Sequence, residues 1–337
     1  VRGQEVRSTF FNRLPRAKSA FQKYLPFMPR ALEMLDLQEF DLVISSESGP
    51  AKGVIVRPDA LHLCYCHSPM RYIWDHYHVY HARAGRIARL AMPHVAHRLR
   101  QWDVSTAARV DGFIANSSFV AARILTYYRR EAQVIHPPVE TGAFVPAPDP
   151  PAGPDDPYLL AGEVVSYKRA DLAIEAFTAS GRPLVVMGDG EGRAERERRA
   201  KPNITFLGRV PFEELRARYA AAKALIFPGE EDFGIIPVEA MAAGRPVVAY
   251  GRGGVLDTVI PGETGLFFDA QTVESLNAAL DRLEAQGELL RRPDAIRAHA
   301  EKFARAAFEA RFSAAVAAAQ ADKAAQLARL SASRSSA

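Results

Sequence analysis

Short apolar runs alternate with amphipathic stretches through the second half of the chain. Residues 158–161, 183–187, 204–207, 224–227, 247–250 and 265–268 read as strands, and 170–179, 192–200, 211–222, 237–243 and 272–286 as helices. Strands alternating with helices predict a parallel sheet covered on both faces. The first half repeats this less regularly. Residues 40–45, 61–66, 113–115 and 133–135 read as strands. Residues 69–80 are aromatic and polar, and 85–110 carry Ile87, Leu90, Val95 and Leu99 at roughly helical spacing, so both are expected helices. Another spans 117–129, with Asn116 or Ser117 as its cap. Eight prolines fall between 137 and 157, where no long apolar run occurs. Proline fixes φ and removes donors, so this stretch is expected to be an extended connection between domains. Residues 291–328 read as Ala-rich helix, and 331–337 as a disordered tail.

At 337 residues the chain exceeds what one core ordinarily serves, and two domains are expected. Hydrophobic residues at 48% and charged ones at 24% are those of a globular protein in water. No apolar run of 18 or more residues occurs, so no membrane-spanning helix is expected. The two cysteines, Cys64 and Cys66, alternate on one predicted strand and face the same side. They cannot easily bridge, have no metal-type spacing, and read as small buried hydrophobes. No secretory leader is visible, and a reducing, cytoplasmic location is expected.

Charge changes the picture only at the start of the chain. Residues 1–150 hold 19 Lys/Arg against 13 Asp/Glu, and the remainder 24 against 26. Arg2, Arg7, Arg13, Arg16, Lys18, Lys23 and Arg30 face Glu5 alone within the first thirty residues, interleaved with Phe10, Phe11, Leu14, Phe21, Tyr24, Leu25 and Phe27. Such a surface suits anionic lipid, and peripheral contact with the inner membrane surface is one reading. A solvated face over a core is the other. No nucleic-acid motif accompanies the basic residues.

The densest candidate chemistry lies in residues 231–239, Glu-Asp-Phe-Gly-Ile-Ile-Pro-Val-Glu. Glu231 and Glu239 stand eight residues apart, and the second is expected to open a helix that ends at Gly244. A helix start exposes unpaired N–H groups and a positive dipole end, which suits a phosphate-bearing ligand. Taken alone the pair could be capping carboxylates. The strand before it and the Gly-Arg-Gly-Gly loop at 251–254 after it give instead the layout of a nucleotide crevice in a doubly wound sheet.

This segment resembles the E-x7-E signature of retaining, nucleotide-sugar-dependent glycosyltransferases of the GT-B fold, glycosyltransferase family 4. His-Ser-Pro-Met-Arg-Tyr at 67–72 and Ser-Tyr-Lys-Arg-Ala-Asp-Leu-Ala-Ile-Glu-Ala-Phe at 166–177 are most similar to bacterial mannosyltransferases of surface-polysaccharide assembly. The resemblance implies an α/β protein of two Rossmann-like domains whose parallel sheets face each other across a cleft. It divides the chain into an acceptor-side domain at 1–137, apparently truncated at its N-terminus, a linker at 138–157, a nucleotide-sugar domain at 158–309, and a helix with tail at 310–337 that returns to the first domain. It implies transfer of a hexose, mannose first, from GDP-mannose or a UDP-hexose to a lipid-linked or polysaccharide acceptor, with no cofactor and no metal.

The residue roles follow from the same resemblance. Lys168 and Arg169 would meet the departing diphosphate, whose growing charge needs stabilising. Glu163 stands where many relatives have Arg. Glu231 would face the sugar hydroxyls, Glu239 the ribose, and the amides of Phe233, Gly234, Ile235 and Ile236 the sugar and phosphate. Gly188 and Gly190 match a phosphate-side loop, Val210 the residue beside the nucleobase, and Gly253 and Gly254 the far wall. Asp257 stands where the family often has Glu. His67 would contact the sugar or position the acceptor, and Arg71, Trp74, Asp75 and Tyr77 would shape the acceptor side. Asn116 and Ser117 either line the cleft or cap a helix. The family mechanism is front-face substitution with retention, or a short-lived covalent intermediate. Two other readings compete: a nucleotide-sugar epimerase sharing the fold, and a non-catalytic nucleotide-binding fragment.

Overall fold

The structure is a computed structural model that describes residues 5–13, 21–163, 165–190 and 192–335. The chain divides into two compact units, Val1–Ile135 with Phe312–Ala337, and His136–Arg311.

The first unit is built on a parallel sheet ordered β1-β2-β3-β4, with β1 at Leu42–Glu47, β2 at Leu61–Cys66, β3 at Gly112–Ala115 and β4 at Ala132–Val134. β2 is buried along its whole length, as a central parallel strand must be. Cys64 and Cys66 are fully buried free thiols in a core with Val110, Phe113, Val120, Ile124 and Tyr128. A second cluster packs Met70 and Ile73 against Ala96 and Leu99 of the long helix Arg86–Ala107. Between them lies a buried ionic group. The Lys52 ammonium pairs with Asp103 and stands 3.5 Å from Glu47, while the Trp74 indole and the Tyr128 hydroxyl donate to Asp103 at 2.7 and 3.0 Å. Burial pushes the Glu47 carboxyl up to about 7, although Lys52 opposes the shift.

Several expectations for this half need correction. The first strand begins at Leu42, two residues later than expected, and runs on to Glu47. The helix expected at 69–80 is mostly turns, and regular helix occupies only Tyr77–Arg83. Side-chain ties, including Trp74 to Asp103 and Asp75 to Arg123, hold this stretch in place of backbone periodicity. The stripe Ile87, Leu90, Val95 and Leu99 is not one core face: Leu99 is buried, whereas Ile87 and Leu90 are 88% and 83% exposed. The tail expected to be disordered continues as helix Arg305–Ser335, in keeping with the high helix propensity of its alanines. Residues 336–337 lie outside the described residues, as do Arg2, Leu14, Arg16 and Lys18 of the basic start. Within that start, Arg7 pairs with Glu5 and Glu39.

The second unit carries six parallel strands: β5 Tyr158–Ala161, β6 Leu184–Met187, β7 Ile204–Gly208, β8 Leu225–Phe227, β9 Val247–Tyr250 and β10 Gly265–Phe268. Their order is β10-β9-β8-β5-β6-β7. Numbered within the unit and read from β7, this is the doubly wound order 3-2-1-4-5-6, whose direction reverses between β5 and β8. The proline-rich stretch 138–157 is not a free connection. Val139 pairs with Ala304, Thr141–Ala143 forms a short 3-10 turn, and Val139 and Phe144 are buried in this unit's core. Its apolar residues are too few to read as an element, yet those two anchor it.

Candidate active site

The helix that follows β8 is Ile235–Ala242. It begins two residues earlier than the sequence suggested, because Pro237 lies in its first turn, where a missing N–H costs nothing. Glu239 therefore sits one turn inside the helix and does not open it. Gly234 takes the left-handed conformation, φ 87°, at the N-cap, and no side chain caps this end. The first helical amides have no intrahelical acceptor. They point towards the carboxyl ends of the strands, where an anion would meet both donors and dipole.

Lys168 ends the short 3-10 turn Ser166–Lys168 that follows β5. Its Nζ lies 3.2 Å from Glu231 Oε1, with the two side chains 19% and 18% exposed. This pair spans the β5–β8 switch point, where doubly wound sheets bind ligands. Glycines let the loops close on one another there. A Cβ on Gly188 would fall 1.8 Å from the Gly162 carbonyl oxygen, and one on Gly229 would fall 2.7 Å from Lys168 Cα. A Cβ on Gly254 would lie 2.3 Å from the Asp232 oxygen, and the Gly254 N–H donates to the Glu231 carbonyl at 2.8 Å. The result is a small pocket lined by Gly162, Glu163, Lys168, Gly229 and Glu231 among others.

Glu239 accepts a hydrogen bond from the fully buried Tyr219 hydroxyl at 2.9 Å. Burial raises the Glu239 carboxyl above its ordinary value, and the Tyr219 hydrogen bond opposes that shift. Arg169, also in the left-handed region at φ 51°, turns onto Asp171 at 3.1 Å and onto the Gln271 amide oxygen at 3.2 Å. Gln271 in turn donates to the Pro228 carbonyl, tying Arg169 to the loop after β8. Gly190 lies in a loop where the Asp189 carboxylate accepts its N–H. Val210 packs half-buried against the core just after β7. Ile235 is 46% exposed, Ile236 is partly buried, and Phe233 is buried. His136 stacks on Phe233 with ring centroids 5.5 Å apart, and its Nδ1 is 3.8 Å from Asp257. Tyr219 and His136 were not singled out in the sequence. Tyr219 ends an unremarkable helix and His136 opens a proline-rich run, so only tertiary pairing reveals them.

The first-unit candidates are arranged around β2. His67 follows its carboxyl end, hydrogen-bonds Ser46 Oγ at 2.8 Å through Nε2, and meets the edge of Tyr65. Arg71 contacts His76 at 2.5 Å and Asp75 at 3.4 Å. Asp75 also pairs with Arg123 at 2.7 Å. Trp74 stacks on Tyr127 while its indole N–H serves Asp103, and Tyr77 lies under the Arg100 guanidinium. Trp74 and Asp75 thus hold the unit together at the atoms the structure shows. Ser117 caps the helix Ser118–Tyr128 by accepting the Val120 N–H, and Asn116 is buried beside it. No group of three or more His, Cys, Asp or Glu that could hold a metal occurs among the described residues.

Residues 150–302 match the family model of glycosyl transferases group 1, and residues 2–143 that of glycosyltransferase family 4. The chain belongs to the GT-B glycosyltransferases of family 4 type. Within that group it is 29% identical over 197 residues to the GDP-mannose-dependent alpha-(1-6)-phosphatidylinositol monomannoside mannosyltransferase of Mycolicibacterium smegmatis, a match covering 50% of this chain and 52% of that one. It is 30% identical over 198 residues to the D-inositol 3-phosphate glycosyltransferase of Pseudarthrobacter chlorophenolicus, covering 50% of this chain and 47% of that one. Each match spans about half the length of the curated relative. Among solved structures, sucrose-phosphate synthase from Thermosynechococcus elongatus matches with a TM-score of 0.69 at 22% identity, over 92% of this chain and 81% of that one. Anabaena HepE in complex with UDP and glucose matches with a TM-score of 0.64 at 14% identity, over 89% and 83%. At these identities the structural matches speak for the GT-B fold alone.

Proposed function

We propose that this GT-B protein transfers a hexose, mannose first, from a nucleotide-sugar donor to a lipid-linked or polysaccharide acceptor, with retention at the anomeric carbon and without a metal. The observation that carries the reading is the Lys168–Glu231 pair across the β5–β8 switch point, beside an uncapped helix start and with Glu239 one turn further on. Lys168 is suited to the diphosphate oxygens, with Arg169 next to it in the chain. Glu231 would exchange its lysine partner for sugar hydroxyls as the donor enters. The amides from Phe233 to Ile236 supply neutral donors to the sugar and phosphate, Gly188 and Gly190 border the phosphate side, and Val210 flanks the base. Glu239, held by Tyr219, accepts from the ribose hydroxyls.

In the step itself the bond from the anomeric carbon to the phosphate oxygen breaks. The acceptor oxygen bonds to the same face, and its proton passes to the leaving phosphate. The GDP-mannose-dependent relative supports guanine as the first base to test. His67, Arg71 and Tyr77 are proposed for the acceptor side. A cytoplasmic site of action is part of the same proposal.

The test is incubation of the full chain with labelled GDP-mannose or UDP-hexoses and a lipid extract as acceptor pool. Label entering a lipid or glycan fraction, with at least about a hundredfold loss in Lys168→Ala and Glu231→Gln, is the expected result. Conversion of the donor into an epimeric nucleotide sugar without any acceptor would favour the epimerase instead. Binding without turnover of any donor would favour the nucleotide-binding fragment.

A further inference from the structure

Arg193 opens the helix Arg193–Arg199, at the end of the loop that follows β6. Its side chain is 26% exposed and lies across Gly208. A Cβ on Gly208 would fall 2.6 Å from Arg193 Nη1 and 3.3 Å from its Cζ, so the guanidinium fills the space that a side chain at 208 would need. Gly208 is the last residue of β7, two before Val210. Its carbonyl accepts the Gly188 N–H at 2.8 Å, which ties the loop after β6 to the same strand end. The guanidinium thus stands at the carboxyl end of β7, on the side where an open α/β sheet meets its ligand. Its own partners hold it loosely. Glu197 Oε2 is 3.5 Å and Asp189 Oδ1 4.0 Å away, both beyond ordinary hydrogen-bond length, and the Nε–H is buried without an acceptor. An incompletely bonded guanidinium costs stability, and a ligand at this strand end gives a reason to keep it.

We propose that Arg193 selects the base of the donor nucleotide, and that it selects guanine. The inference rests on the transferase reading given above and adds the residue and atoms that choose the donor. A guanidinium carries donors only, in a planar fork, and matches an edge with two neighbouring acceptors. Guanine offers such an edge in O6 and N7. Adenine sets an amino donor beside its N7, cytosine presents an amino donor, and the O4 of uracil stands alone on the corresponding edge. A phosphate would also suit a guanidinium, but Lys168 already stands at the β5–β8 switch point for that role. β7 lies two strands from β5, about 10 Å at ordinary strand spacing. A diphosphate at Lys168 therefore brings the nucleoside end, rather than the phosphates, towards Arg193.

The experiment is isothermal titration of the full chain with GDP, UDP, ADP and 7-deaza-GDP, in wild type, Arg193→Met and Arg193→Lys. Wild type should bind GDP about tenfold or more tighter than UDP or ADP. It should bind 7-deaza-GDP, which lacks the N7 acceptor, roughly fivefold more weakly than GDP. Arg193→Met should lose both differences while its affinity for UDP and ADP and its melting temperature stay unchanged. Arg193→Lys keeps the charge without the fork and should recover little of the preference. Equal weakening of every nucleotide in Arg193→Met would assign the side chain to the phosphates and overturn the proposal. So would a wild type that prefers UDP or ADP, or a preference for GDP that survives in Arg193→Met. Each of these results leaves the transferase reading standing, whereas a wild type that binds no nucleotide would overturn that reading and this inference with it.

Discussion

At Glu239, burial and the Tyr219 hydroxyl pull in opposite directions. Burial raises the carboxyl above its ordinary value and Tyr219 lowers it again. If the ionised carboxylate grips the ribose, donor affinity is full at high pH and falls as pH drops through that raised value, sooner than for an exposed glutamate. Tyr219→Phe removes the opposing hydrogen bond, so the fall should begin at still higher pH. At neutral pH the variant should bind nucleotide roughly fivefold more weakly, the equivalent of about 1 kcal/mol for one hydrogen bond. Titrating affinity against pH in both proteins checks this. A pH profile unchanged in Tyr219→Phe would mean that the hydroxyl does not set the state of Glu239.

The loop after β8 and the loop after β9 are packed backbone to backbone, and glycine makes that contact. A Cβ on Gly254 would lie 2.4 Å from Phe233 Cα as well as 2.3 Å from the Asp232 oxygen, whereas one on Gly251 would meet Phe267 at 3.4 Å and the Phe268 oxygen at 3.6 Å, both ordinary contacts. Gly254→Ala should therefore push the 231–235 segment outward, costing roughly 1–3 kcal/mol of stability and much of the nucleotide affinity. Gly251→Ala should leave both nearly unchanged. Equal melting temperatures and affinities for the two variants would contradict the packing described. This part of the site was legible in the sequence, because Glu231, Gly234, Gly253 and Gly254 lie in short contiguous runs that follow predicted strands. The helix start was placed two residues late because Pro237 suits a first helical position, yet it fits the first turn equally well with Ile235 and Ile236 ahead of it. The exposed Ile87 and Leu90 were invisible as such, since helical spacing defines a face without saying what covers it. Tyr219 was missed because it meets Glu239 only through tertiary packing between two helices.

Each compact unit has its own apolar packing, the first in two clusters around Ile124 and around Met70, the second in one around Phe177, Val238 and Leu280. Units of this kind unfold as separate cooperative transitions in the absence of strong coupling. Lys168, Glu231 and Glu239 all belong to His136–Arg311, so a donor nucleotide should stabilise that unit selectively. Ligand at a hundred times its Kd adds about 2.7 kcal/mol to the state that binds it. Scanning calorimetry of wild type and Glu239→Ala with GDP, UDP, ADP and their sugar conjugates reads this stabilisation out. One nucleotide should raise a single transition in wild type, and the shift should be lost in Glu239→Ala. No shift with any nucleotide, or an equal shift in the variant, would contradict a donor site at Glu239.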